Sequence, residues 1–119
     1  MRLLKMTPYQ QAQAVYDREP CARSFHEDHF HHLQHGFVYS SPTCFAMCRE
    51  VSSAWDADKM LAPWETEPGG DCWFVWMLAG DAREAIGRLP HVKPFIAFEK
   101  RRKVRLRTHA EVMRLANFA

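Results

Sequence analysis

Long apolar runs are missing from this chain. The longest, Cys72 to Ala79, holds eight residues, far short of the roughly 18 that a membrane-spanning helix needs. The first residues, Met1-Arg2-Leu3-Leu4-Lys5-Met6-Thr7-Pro8, lack the apolar segment of a secretory signal. A strong charge imbalance is missing too. The net charge is +2, too small to argue on its own for a nucleic-acid or membrane partner. Cysteines are few (Cys21, Cys44, Cys48 and Cys72), and none forms a C-x-x-C pair. On one strand, Cys44 and Cys48 would lie about 13 Å apart, beyond the reach of a disulfide. Reduced, mostly buried thiols are therefore expected. Internal repeats, low-complexity segments and domain linkers are absent, as is the Gly-x-Ser-x-Gly elbow of a serine nucleophile. These absences set the expectation of a soluble, intracellular protein with no membrane contact.

What is present is an ordinary globular composition, 47% hydrophobic and 25% charged over 119 residues. A single domain, residues 1–119, of this size buries about two thirds of the surface of the unfolded chain, enough for a core without staples. The run Cys72 to Ala79 lies between a Gly-Gly-Asp turn and a Gly-Asp turn. Short, bulky and apolar at both parities, it reads as a central strand covered on both faces.

The remaining elements follow from caps and periodicity. Thr7-Pro8 starts a helix, with Thr as N-cap and Pro at the first position. Ser24 with Glu27 forms a capping box for a second helix, and Gly36 stops it. The period then changes to two. Phe37 to Ser40 and Cys44 to Val51 read as a hairpin around Ser41-Pro42-Thr43. Residues 52–70 form a long connection carrying Trp55 and Trp64, and connections of that length are often functional. Asp81 caps a short helix closed by Pro90. Phe95 to Glu99 and Val104 to Arg107 form a second hairpin, and Thr108 with Glu111 caps the last helix. The order α-α-β-β-β-α-β-β-α predicts an α+β domain, one mixed sheet of about five strands with helices packed on it.

That order, two helices, a hairpin, a central strand, a helix and a further strand, resembles the GNAT N-acetyltransferase fold shortened at the front. The family's coenzyme A motif follows the central strand as Gln or Arg, two residues, Gly, one residue, then Gly or Ala. Here the corresponding segment is Leu78-Ala79-Gly80-Asp81-Ala82-Arg83-Glu84-Ala85-Ile86-Gly87. Gly80 lacks a partner glycine at the motif spacing, and Asp81 puts a negative charge where the diphosphate would sit. The wording of Glu19 to Phe25, of His35 to Pro42, of Cys72 to Trp76 and of Phe98 to Arg102 is also similar to small proteins encoded by phages and prophages. The resemblance implies a GNAT-like sheet without the cofactor site, in a host cytoplasm or a virion. No cofactor is expected.

Four groups of residues carry possible chemistry. Between Cys21 and Gly36 stand His26, His29, His31, His32 and His35. At about 100° per residue, Ala22, Phe25, His26, His29, Phe30 and Leu33 share one arc, which is expected to face the core, while His31, His32 and His35 fall on the solvated side. His26 and His29 are either half-buried, hydrogen-bonded histidines or two ligands of a metal ion. Lys100, Arg101, Arg102, Lys103, Arg105 and Arg107 place six positive charges in eight residues and leave a net −4 on the remainder. This hairpin is either a charged edge that discourages aggregation or a contact for nucleic-acid phosphates or an acidic protein. Trp73 and Trp76, on opposite faces of the central strand, are expected in the core, whereas Trp55 and Trp64 are candidate anchors for a partner. The acids Asp56, Asp58, Glu65, Glu67 and Asp71 form a solvated loop or a hard-metal or carboxylate site. The expected function is a non-catalytic binding or assembly protein. The alternatives are a nucleic-acid-binding accessory protein using residues 100–107 and a minimal GNAT-type acyltransferase.

Overall fold

The structure is a computed structural model describing residues 6–18, 25–53, 67–100 and 103–117, with backbone alone at 99–100, 103–104 and 116–117. Two helices, α1 (Pro8–Asp17) and α2 (Phe25–His35), precede a hairpin of β1 (Phe37–Ser41) and β2 (Cys44–Val51). Then come β3 (Cys72–Gly80), α3 (Ala82–Gly87), β4 (Phe95–Lys100), β5 (Lys103–Thr108) and α4 (His109–Asn117). The domain is α+β, and its elements come in the order expected from the sequence. One five-stranded sheet runs β1-β2-β3-β4-β5. Its neighbours are antiparallel except β3 and β4, which are parallel and joined through α3.

Local chemistry sets the boundaries. The Thr7 hydroxyl accepts from the Gln10 N–H while the Gln10 side chain accepts from the Thr7 N–H, a closed capping box. The Asp81 carboxylate accepts from the N–H groups of Arg83 and Glu84 at the start of α3. Thr108 and Glu111 exchange a second such pair ahead of α4. Gly80 ends β3 at φ +89°, and a Cβ there would stand 2.2 Å from the Thr43 carbonyl oxygen. Only glycine meets both demands.

β3 lies third in the sheet, between β2 and β4. Cys72, Trp73 and Phe74 are buried, but Val75, Trp76 and Met77 are half-buried and Leu78 is exposed. Cover on both faces therefore holds for the first part of the strand only. The change coincides with a bulge. Met47 pairs with Met77 and Cys48 with Val75, so Trp76 is the extra residue. Parallel pairing with β4 also ends at Val75 and Phe98.

The two faces carry separate cores. On one, Phe45 and Met47 pack with Ala12, Tyr16 and Phe25 from α1 and α2. On the other, Cys44, Ala46, Cys48 and Trp73 pack with Ala85 of α3. Trp73 and Trp76 do fall on opposite faces, since Trp76 packs with Phe74 and the α1–α2 side. α4 lies against α3 and the β4–β5 hairpin.

A second expectation is corrected. α2 is turned from the arc its apolar residues suggest. Phe25, Asp28 and His32 are buried, while His26 is exposed, Phe30 is 61% exposed and Leu33 60%. His32, assigned to the solvated side, has no exposed surface. The reason is polar. The Tyr16 hydroxyl donates to the Asp28 carboxylate, and His32 Nδ1 lies 2.7 Å from the Asp28 carbonyl oxygen. A helix that buries these groups beside their partners must leave Phe30 outside.

Candidate functional site

The basic hairpin forms one margin of the sheet. β5 is its outermost strand, paired with β4 from Phe95–Thr108 to Lys100–Lys103. Residues 101–102 lie outside the described residues. Arg107 pairs with Ile96, and Ile96 pairs with Trp73. Arg105 and Arg107 therefore belong to the face that carries α3, and Leu106 to the other. Both arginines are half-buried and Leu106 is 39% exposed. Arg107 donates to the Leu106 carbonyl at 3.0 Å. Among the described residues, neither arginine has a carboxylate within ion-pair distance.

At the end of β3, where α3 begins, stands a group of polar side chains. The Asp81 carboxylate lies 3.0 Å from Arg83 N and 3.3 Å from Glu84 N. It thus occupies the N–H groups that a diphosphate would need. Glu84, one turn on, accepts from Ser41 Oγ at 2.5 Å and Thr43 Oγ1 at 2.8 Å. These bonds, Ser41's first, hold its carboxyl below the usual range and tie the β1–β2 turn to α3.

The histidines divide differently from the sequence expectation. His26 keeps both ring nitrogens near partners, Tyr9 Oη and Gln13 Nε2, each at 3.3 Å. His29 packs its ring against Tyr9, Phe25 and Phe45. Burial lowers its pKa, and His26 lowers it further. Among the described residues no group of three metal-ligating side chains converges. His26 and His29 therefore have no third ligand there.

The sequence reading missed a buried polar cluster, Tyr16, Asp28, His32 and Arg49. Asp28 is 2% exposed, and Arg49 is fully buried. The Arg49 guanidinium lies 4.9 Å from the Phe74 ring and 5.0 Å from the Trp76 ring. The His32 ring stacks on Trp76 at 6.4 Å. Because a carbonyl only accepts, His32 Nδ1 carries the proton and Nε2 is the acceptor. Burial pushes the His32 pKa down to about 4, although the bond to Asp28 opposes that shift. The one signal in the sequence was Asp28 and His32 four residues apart, on one side of a helix.

A second polar knot holds the exit of the long connection. Lys93 Nζ stands 3.3 Å from Glu50 Oε1, donates to the Gly70 carbonyl and lies 5.3 Å from the Trp73 ring. The Glu50 carboxylate also accepts from Gly69 N at 2.8 Å, and that bond leads in lowering its pKa. Asp71 accepts from both Ser53 N and Ser53 Oγ. Trp55, Trp64, Asp56, Asp58 and Glu65 lie outside the described residues.

Comparison with protein-family models, with curated proteins and with solved structures returns no match. No described helix is long and apolar enough to cross a membrane. Cys44, Cys48 and Cys72 are free and buried. Burial raises their pKa values to about 11, about 12 and about 12. At neutral pH such thiols stay protonated and unreactive.

Proposed function

We propose that this chain is a small, non-catalytic binding or assembly protein, encoded by a phage or prophage, that meets an anionic partner through its basic sheet margin. The observation that carries the reading is the placement of Arg105 and Arg107 on one face of the outermost strand with no ion pair among the described residues. The hairpin collects six cations and leaves a net −4 on the rest of the chain. Such polarisation steers an anionic partner toward one surface. The acyltransferase alternative is disfavoured by Asp81, whose carboxylate already accepts the N–H groups at the start of α3.

The test is fluorescence anisotropy with oligothymidylate and with polyglutamate over a range of salt. At least one should bind, with an affinity that falls as salt rises. The Arg105→Ala/Arg107→Ala variant should bind more weakly and with a shallower salt dependence, by about two charges for a phosphate ligand. Absence of binding to both, or an unchanged variant, defeats the proposal. Calorimetry with acetyl-coenzyme A addresses the alternative; heat with an affinity better than about millimolar would restore it. A gene neighbourhood of virion head or tail modules supports the assembly role, and a neighbourhood of defence genes counts against it.

A further inference from the structure

The sheet margin has a second property besides charge. β5 pairs with β4 on one side, and among the described residues no strand pairs with it on the other. On that rim the N–H and C=O of Val104 and the N–H of Leu106 point outward, while the Leu106 carbonyl accepts from Arg107 and the Thr108 N–H donates to Glu111. α4 touches β4, β5 and α3, and among the described residues no strand occupies the rim. We infer that β5 accepts an extended acidic peptide as a sixth strand, so that the partner is a protein segment recognised by strand addition. This inference deepens the proposed function and rests on it.

Three features select that occupant. The first is alternation. A strand laid on β5 would point every second side chain toward the face of Arg105 and Arg107, and the others toward the face of Leu106, which is 39% exposed. The fitting partner has acids at one parity and apolar or neutral residues at the other. The second is main-chain chemistry. The rim offers the Val104 carbonyl as well as the N–H groups of Val104 and Leu106, and only a chain with its own N–H groups can satisfy both. A phosphate backbone offers acceptors alone, and no aromatic residue stands between Lys100 and Arg107 to stack a base. The third is exclusion of a second copy. Two β5 strands edge to edge would set like charges against each other. The opposite margin, Phe37–Ser41, carries no charge, so it has no comparable means of selecting an acidic strand.

The experiment uses the full chain and three probes. One is a peptide of about ten residues, a typical strand's upper length, alternating Glu with Val or Thr. The second is the same peptide N-methylated at alternate residues along one edge, made in both registers. The third is oligothymidylate. The unmodified peptide should bind and shift the amide resonances of Lys103 to Thr108. N-methylation on the pairing edge should weaken binding by at least about tenfold, through lost main-chain hydrogen bonds. Arg105→Glu/Arg107→Glu should abolish binding. Equal affinity for the unmodified and both methylated peptides would overturn strand addition while leaving charge-driven binding intact. Binding of oligothymidylate without the peptide would do the same, in favour of nucleic acid. Binding of none of the three would remove the proposed function as well. If the charge-reversed variant does not fold, the methylated peptides decide the matter on the native protein.

Discussion

The orientation of α2 can be tested by exchanging two phenylalanines five residues apart. Phe25 is 2% exposed, and its ring centroid lies 5.0–6.0 Å from those of Tyr9, Tyr16, His29 and Phe45. A fully buried phenylalanine withdraws about 200 Å² from water, worth about 5 kcal/mol at the usual coefficient. Core Phe→Ala changes cost about 3–5 kcal/mol. Phe25→Ala should therefore lower stability by about 3–5 kcal/mol, or roughly 10–20 °C in Tm for a chain of this length. Phe30 is 61% exposed. Its buried remainder is worth at most about 2 kcal/mol, and the stem of a glutamine recovers most of it. Phe30→Gln should cost less than about 1 kcal/mol. Urea titrations followed by circular dichroism measure both, with the slope checked for constancy. The arc read from apolar residues alone predicts comparable losses at the two sites. A cost above about 2 kcal/mol for Phe30→Gln, or below about 1 kcal/mol for Phe25→Ala, would refute the orientation.

Three further outcomes follow from the same contacts. The folded pKa of His32, about 4, lies below its unfolded value of 6.5, so the unfolded chain binds the extra proton between those values. Stability should be fully present above pH 6.5 and fall by roughly 3 kcal/mol toward pH 4; His32→Gln should flatten that part of the profile in pH-dependent urea melts. Gly80→Ala should cost more than Gly69→Ala, although both glycines have positive φ, because a Cβ at Gly80 meets the Thr43 carbonyl at 2.2 Å and one at Gly69 meets nothing within 4 Å. Strain alone accounts for about 1 kcal/mol at Gly69, and thermal melts of the two variants decide the order. Cys44, Cys48 and Cys72 should stay silent to a thiol reagent in the native protein at pH 8 and react on unfolding in guanidinium; rapid native labelling at any of the three would contradict their burial.

Much of the fold was legible because its signals are local. Thr7, Asp81 and Thr108 act within a turn of themselves, and their bonds stand where the sequence placed them. The hairpins were legible from period-two runs broken by turn residues. The bulge at Trp76 was not. Eight apolar residues in succession have no alternation, so a break in parity leaves no trace. The face of α2 was misread for a different reason. It depends on Asp28 meeting Tyr16, twelve positions away, and on His32 stacking over Trp76 from another element. Periodicity weighs apolar residues only and is blind to a polar side chain whose partner lies elsewhere in the chain. The Lys93–Glu50 pair was hidden by the same distance in sequence. At the basic hairpin, the sequence displayed the charges and offered an edge as one reading, and the pairing of β3 with β4 and of β4 with β5 makes β5 the outermost strand.

The direction of the pKa shifts bears on where function lies. A group used in acid–base or nucleophilic chemistry is tuned toward the pH at which it works. Here the shifts of His32 and of the described thiols run the other way. His32 is pushed to about 4 and is neutral in ordinary buffer, and the three described thiols are pushed to about 11 and 12 and stay protonated. Each shift is led by burial, which removes charge from groups that serve packing. The lowered carboxyl pKa values of Glu50, Glu84 and Glu111 come first from hydrogen bonds that fasten a loop, a turn and a helix start. The described interior thus uses its titratable groups to hold shape. Arg105 and Arg107 lie instead on the outermost strand and have no carboxylate within ion-pair distance among the described residues. Arg105 and Arg107 are the groups on which the proposed recognition rests, which is why the binding tests are aimed there.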